Sequence, residues 1–262
     1  MAIDPPPTQA DIVREVSLGD LCRRQWDEYV GNHPKGSIFH TSSMLQACEV
    51  TQAIDPFARA AINADGQIVA LLTSYRVQTI ERLAAVSSRA IQFAEPLCDS
   101  TEQGVQALAS LVHGHDRYMQ GKALMCEVRS IQQPGPENRA LLGNGYKFFD
   151  YVNYVVDVRS DPDTLWMNLN KRVRQKIRST HRKGLVIRDD ESPEGVHRLY
   201  QLLQSSYRLA RVPLPSQSLF LNSLQYLPKE SVRIRTAFHA GLPVASIKGI
   251  ATCPLPAPRS TQ

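Results

Sequence analysis

Apolar positions in this chain fall into two alternating rhythms, a period of two over short runs and a spacing of three or four between them. Ile12 to Leu18 reads as a strand, and Gly19 to Gly31 as a helix that turns Leu21, Trp26, Tyr29 and Val30 toward a core. Thr41 is placed to cap a second helix running through Val50. Two strands then flank Asp65-Gly66 in FARAAINADGQIVALLTSYRV, where the glycine supplies the positive φ of a tight hairpin turn. Thr101 to Gln120 is helical, Ala123 to Ser130 a strand, and Glu137 to Leu142 a short helix ended by Gly143-Asn144-Gly145. A strand over Phe148 to Val158 closes the series. The order predicts a mixed α/β layered domain over residues 12–158, after a disordered tail over 1–11.

The second half repeats the opening of the first. Helices Pro193 to Arg211 and Ser216 to Leu227 precede a hairpin over Val232 to Ile250. AAINADGQIVA, from Ala60 to Ala70, lies beside TAFHAGLPVA, from Thr236 to Ala245, with one residue of slip. The expectation is a duplicated α/β unit over 159–250 that opens with a helix over 163–183. After Ile250 comes only ATCPLPAPRSTQ, an irregular Pro-rich tail over 251–262, so the second unit is expected to be cut short. The last hairpin would then have an open edge available for self-association or for a bound strand.

Charge adds the feature that most changes this picture. Thr164 to Arg188, TLWMNLNKRVRQKIRSTHRKGLVIR, holds eight Lys or Arg among 25 residues and no Asp or Glu. The chain has 30 basic and 25 acidic residues, so the remainder, with 22 basic and the same 25 acidic, is at −3. Basicity is therefore local. Leu165, Leu169, Val173 and Ile177 form one apolar stripe, while Arg172, Arg174, Lys176, Arg178, Arg182 and Lys183 lie largely outside it. Eight like charges repel unless anions neutralise them, either a phosphate-bearing partner or carboxylates from elsewhere in the fold. With 42% apolar residues the chain can bury a substantial core. Its start carries no signal-peptide pattern and no run is long enough to span a bilayer, so the cytoplasm is the default compartment. Cys22, Cys48, Cys98, Cys126 and Cys253 are scattered, odd in number and without metal-ligand spacing, so neither a disulfide framework nor a metal site is indicated.

Particular words of the sequence, in their order, resemble the Fem family of aminoacyltransferases and its FemAB-like, exopolysaccharide-associated bacterial relatives. They are SIFHT (Ser37 to Thr41), DGQIVA (Asp65 to Ala70), EVRS (Glu127 to Ser130), LWMNLNKRVRQKIRSTHRKG (Leu165 to Gly184), LYQLL (Leu199 to Leu203), Tyr207 to Arg211 with Pro213 and Pro215, and GLPVA (Gly241 to Ala245). The resemblance covers roughly residues 15–250. It implies tandem GNAT-like acyltransferase domains, the second incomplete, that move an aminoacyl or acyl group to an amine of a cell-wall or surface-polysaccharide precursor. Aminoacyl-tRNA or acyl-CoA would be the donor, with no permanently bound cofactor and with peripheral contact at the inner membrane face.

The resemblance also implies roles for residues. Arg174 and Arg178 stand at the family's arginine positions for a phosphate group, with Arg172, Lys176 and Lys183 beside them. Glu95-Pro96-Leu97-Cys98-Asp99 aligns with the family's Gly-Pro-x-x-Asp, which makes Asp99 the candidate base, although Glu95 replaces the glycine. Asp99 is equally placed to cap the helix near Thr101. His40 is either a groove residue or locally hydrogen-bonded beside a cap, and Glu127 and Arg129 either face a groove or pair with each other. The alternative function is a noncatalytic remnant, or an RNA-binding module built on the basic helix.

Overall fold

The computed structural model describes residues 14–78, 87–152 and 160–251. They divide into two compact units that are discontinuous in sequence. One holds the described residues up to Lys147 with Pro213–Val232 and Ile250–Ala251, and the other holds those of Phe148–Val212 with Arg233–Gly249.

The first unit is built on a sheet of β1 (Arg14–Ser17), β2 (Ile54–Ile62), β3 (Ile68–Gln78), β4 (Ser88–Gln92), β5 (Leu97–Cys98) and β6 (Met125–Val128). Strand order is β1-β2-β3-β4-β6, with β5 pairing β3 further along the same chain. All pairs are antiparallel except β4 with β6. The expected hairpin is β2 and β3, with Gly66 at a φ of 77° in the turn. Period-two alternation sorts its residues onto two covered faces. Ala60, Ile62, Leu71 and Tyr75 meet α1 (Arg23–Asn32), α2 (Ser42–Glu49) and α8 (Gln217–Tyr226) through Trp26, Val30, Leu45 and Leu224. Phe57, Ala61, Ala70 and Leu72 meet α3 (Glu102–Met119) and α4 (Pro136–Gly143) through Val105, Leu108, Leu111 and Leu141. Thr41 caps α2 as expected, its hydroxyl accepting the amide of Met44.

Between β4 and β5 the strand pairing with β3 lapses over residues 93–96, and buried polar groups take over. Glu95, 1% exposed, accepts the amides of Ile131 at 2.8 Å and Gln132 at 3.2 Å. Lys35 Nζ lies 3.8 Å from that carboxylate and donates to Glu137 at 2.6 Å and to the carbonyl of Gln133 at 2.7 Å. Glu137 also accepts the amide of Gly135 at 2.7 Å, and a Cβ at Gly135 would stand 2.7 Å from this carboxylate. One buried ion cluster thus joins the residue 33–36 loop, the strand interruption and the approach to α4. Glu95 occupies the position of the family glycine without a left-handed backbone, so its side chain is used as a bolt.

His40 is completely buried and serves the same region. Its Nδ1 accepts the amide of Ser37 at 3.2 Å, which leaves Nε2 to donate to the carbonyl of Glu95 at 2.9 Å. Both ring nitrogens are committed to protein, so His40 is not the groove residue that its place beside a helix cap allowed.

The second unit carries α5 (Pro162–Asn168), α6 (Lys171–Arg182), α7 (Pro193–Ala210) and a sheet ordered β7 (Val186–Asp189), β8 (Val232–His239), β9 (Leu242–Ile250). The C-terminal hairpin expected from the sequence is β8 and β9, turning at Ala240 and Gly241 with φ of 48° and 77°. Three expectations are corrected. The single helix over 163–183 is two helices, because Asn170 caps α6 by accepting the amide of Arg172 at 2.9 Å. The stripe of Leu165, Leu169, Val173 and Ile177 is not in a core, since neither α5 nor α6 has a buried residue. Residues 148–152 form no strand, while the rest of that expected strand lies outside the described residues. Helix α8 and the start of β8 belong to the first unit, where Asn222 Nδ2 donates to Thr51 Oγ1 at 2.9 Å. The terminal stretches read as irregular tails lie outside the described residues up to Val13 and from Thr252.

Two stability measurements test this account. Removing Glu95 as Glu95→Ala strands Lys35 and two amides, and should lower the unfolding free energy in urea by about 3–5 kcal/mol. Burial holds the His40 imidazole down at about 4 against an ordinary 6.5, so the unfolded chain binds a proton that the native chain does not. Stability should be full above about pH 6.5 and fall by up to about 3 kcal/mol as the pH drops to 4. His40→Gln, which retains a donor to Glu95, should flatten that slope.

Candidate functional site

Asp99 sits where β5 hands over to α3, and the local chain leaves it little freedom. Its amide donates to the carbonyl of Val69 at 2.9 Å, and a Cβ on Gly104 would meet its carbonyl at 2.5 Å. Thr101, not Asp99, caps α3 by accepting the amide of Gly104 at 3.1 Å. The Asp99 carboxylate is thus released from capping and lies 3.4 Å from the hydroxyl of Tyr29. Partial burial pushes its pKa up, against the opposing effects of the Tyr29 hydrogen bond and of His33.

Tyr29 and His33 complete this corner, their rings 5.7 Å apart at the end of α1. His33 Nδ1 accepts the amide of Lys35 at 3.1 Å, so Nε2 carries the proton and donates to the carbonyl of Cys98 at 3.1 Å. The neighbouring thiol is no nucleophile, because burial pushes Cys98 up to about 12. A half-buried carboxylate with a raised pKa can accept a proton from an amine while remaining reachable. The sequence reading omitted Tyr29 and His33 as site residues. Their i, i+4 spacing was the available signal, but their convergence on Asp99 depends on a strand 65 residues away or more.

Glu127 and Arg129 do share a face, and they pair with each other at 2.8 Å. That hydrogen bond lowers the pKa of Glu127, and the Arg129 guanidinium stands 5.7 Å from the ring centroid of Phe93. The structural alternative for these two is the one observed. A second polar cluster lies between α3 and β6, where ligand atoms of His115, Asp116 and Cys126 fall within 4.8 Å of one another. Asp116 already accepts from His115 Nδ1 at 2.9 Å and Tyr146 at 2.8 Å, so hydrogen bonding accounts for the arrangement.

In the second unit the cations of α6 have separate duties. Arg174 donates to the carbonyls of Met167 and Leu169, both at 2.6 Å, and so closes the end of α5. Its guanidinium is therefore partly committed to structure. Arg178 lies 5.6 Å from the Trp166 ring centroid, and with Gln175, His181 and Arg182 it lines an open depression of about 570 Å³. Arg172, Lys176 and Lys183 are exposed. Among the described residues no carboxylate lies within 4.0 Å of any α6 cation. Of the second unit's acids, Asp189 pairs with Arg235 at 2.8 Å and Asp190 with Arg198. Trp166, Gln175 and His181 were not singled out from the sequence, and Arg182 was named only as one cation of the helix, because the break at Asn170 that brings α5 beside α6 was not foreseen.

No protein-family model matches the chain, and no curated protein matches it. Its structure is similar to that of FemX, with a TM-score of 0.56 and 13% identity, over 86% of this chain and 57% of that one. Weaker likenesses are to a GCN5-related glucosamine N-acetyltransferase region of a fungal multi-domain GH3 β-N-acetylglucosaminidase, TM-score 0.44, 11% identity, 90% of this chain and 27% of that one. A ribosomal-protein-alanine N-acetyltransferase from Brucella melitensis biovar Abortus 2308 has TM-score 0.37 and 15% identity, over 55% of this chain and 97% of that one. The chain thus spans under two thirds of the length of FemX. Its mixed sheet, covered on both faces by helices, together with the likeness to FemX, gives it a fold like that of FemX.

Proposed function

We propose that this protein is an acyltransferase of the FemAB and GNAT type, moving an aminoacyl or acyl group onto an amine of a phosphate-bearing cell-wall or surface-polysaccharide precursor. The observation that carries the reading is the cation cluster of α6, which has no carboxylate partner among the described residues, in a chain whose fold is like that of FemX. A cluster without carboxylate partners stores repulsion that a phosphate relieves, and planar guanidinium groups match phosphate oxygens two at a time. Arg178 and Arg182 are the primary phosphate ligands, with Arg172, Lys176 and Lys183 adding to the local field. The donor is aminoacyl-tRNA or acyl-CoA, and the cytoplasm is the compartment in which either is met.

In this reading the acceptor amine attacks the donor carbonyl. A carbon–nitrogen bond forms and the carbon–oxygen bond of the aminoacyl ester, or the carbon–sulfur bond of a thioester, breaks. Asp99 takes the proton leaving the amine, and the leaving oxygen or sulfur is protonated in turn. Tyr29 holds the carboxylate in place, and the raised pKa of Asp99 makes it a better proton acceptor than an ordinary aspartate.

Asp99→Asn retains an acceptor for Tyr29 and should fold normally while lowering kcat by about 10²–10⁴-fold. In the parent protein activity should rise with pH through the raised pKa of Asp99, and that acid limb should vanish in the residual activity of the variant. Arg178→Ala with Arg182→Ala should raise KM for the phosphorylated acceptor by on the order of tenfold or more, with the circular dichroism unchanged. Steeply salt-dependent RNA binding without any transfer would instead favour a noncatalytic RNA-binding module.

A further inference from the structure

Helix α6 is amphipathic in a way that the phosphate chemistry does not use. Val173 and Ile177 share one side, Val173 is 42% exposed, and Leu169 just before the helix is 38% exposed. Met167 at the end of α5 is 65% exposed, and neither helix has a buried residue. Lys176 and Lys183 border this apolar stripe, whereas Arg178 and Arg182 lie largely on the opposite side of the helix. No acidic residue occurs anywhere from Thr164 to Arg188.

We propose that α6, with Met167 and Leu169, is a membrane-surface helix that seats the second unit on an anionic lipid bilayer. A helix that is apolar on one side and densely cationic around it lies in the interfacial plane, its stripe among the acyl chains and its lysines at the headgroups. Twelve residues of helix reach about 18 Å, too short to cross a bilayer, and no helix among the described residues is long and apolar enough to do so. Charge complementarity selects the lipid. RNA or free phosphate would satisfy the cations and leave Val173, Leu169 and Met167 in water beside the half-buried Ile177, whereas an anionic bilayer satisfies both sides of the stripe. The arrangement leaves Arg178 and Arg182 facing away from the bilayer. The inference does not depend on the transferase reading, because lipid binding is measured without turnover.

The full chain should float with vesicles of phosphatidylglycerol and phosphatidylcholine, and should not float with phosphatidylcholine alone. Val173→Gln with Ile177→Gln keeps every charge and touches no core residue. It should weaken vesicle binding about tenfold or more and leave the circular dichroism and any transfer to a soluble phosphorylated amine unchanged. Equal vesicle affinity of the double variant and the parent would overturn the proposal. So would absence of vesicle binding, with or without RNA binding that the double variant retains. Loss of transfer in the Arg178→Ala, Arg182→Ala variant with vesicle binding intact separates the two inferences.

Discussion

The buried contact of Lys35 with Glu95 and Glu137 is the constraint on which the first unit depends. Two carboxylates and one ammonium leave an excess negative charge in the interior, and the structure disperses it over the amides of Ile131, Gln132 and Gly135. Each partner is costly to bury alone and affordable only with the others in place. The cluster therefore makes three loops distant in sequence adopt one arrangement. β5 begins two residues beyond Glu95, and Asp99 follows directly on β5, so the position of the candidate base descends from this ion cluster. His40 reinforces it by holding the carbonyl of Glu95 from the other side of the backbone.

The two units use charge in opposite ways. In the first, several cations sit against carboxylates at short range, Arg76 with Asp55, Arg129 with Glu127 and Arg139 with Glu102 among them. Surface pairs of this kind add little stability and cancel part of the local field. In the second, the carboxylates of Asp189 and Asp190 are taken by Arg235 and Arg198, and α6 is left with its cations unmatched. A field of one sign concentrated on a single exposed helix favours a partner that brings its own negative charge. The same helix has an apolar side that no core residue covers, which is the reason for considering a bilayer as well as a phosphate.

Where local rules governed the outcome, the sequence was readable. Alternation located β2 and β3, and Asp65-Gly66 located their turn, because positive φ is a property of the residue itself. Thr41 marked the start of α2 by its hydroxyl, and Trp26 and Val30 faced the core by their spacing. The outcome of competition between alternative partners, near or far in the chain, was unreadable. Asp99 could be named, but whether it capped α3 or stood free turned on Thr101 winning the amide of Gly104. Arg174 and Arg178 looked equivalent one turn apart, yet Arg174 spends its guanidinium on two carbonyls of the preceding helix. Glu95 looked like a misfit in a glycine position until Lys35 and two amides were found around it.

The sequence by itself determined most of the elements and the local concentration of positive charge, and it named Asp99 as a candidate. The elements and the charge follow from periodicity, side-chain charge and chain-local turn chemistry, none of which requires knowing what lies nearby in space. Tertiary structure alone decided that His40 is buried and its nitrogens spoken for, that Tyr29 and His33 gather at Asp99, and that no carboxylate among the described residues pairs with the basic helix. Most of those outcomes turn on groups far apart in the chain competing for a hydrogen bond or an ion pair. Only the folded arrangement sets which competitor is within reach.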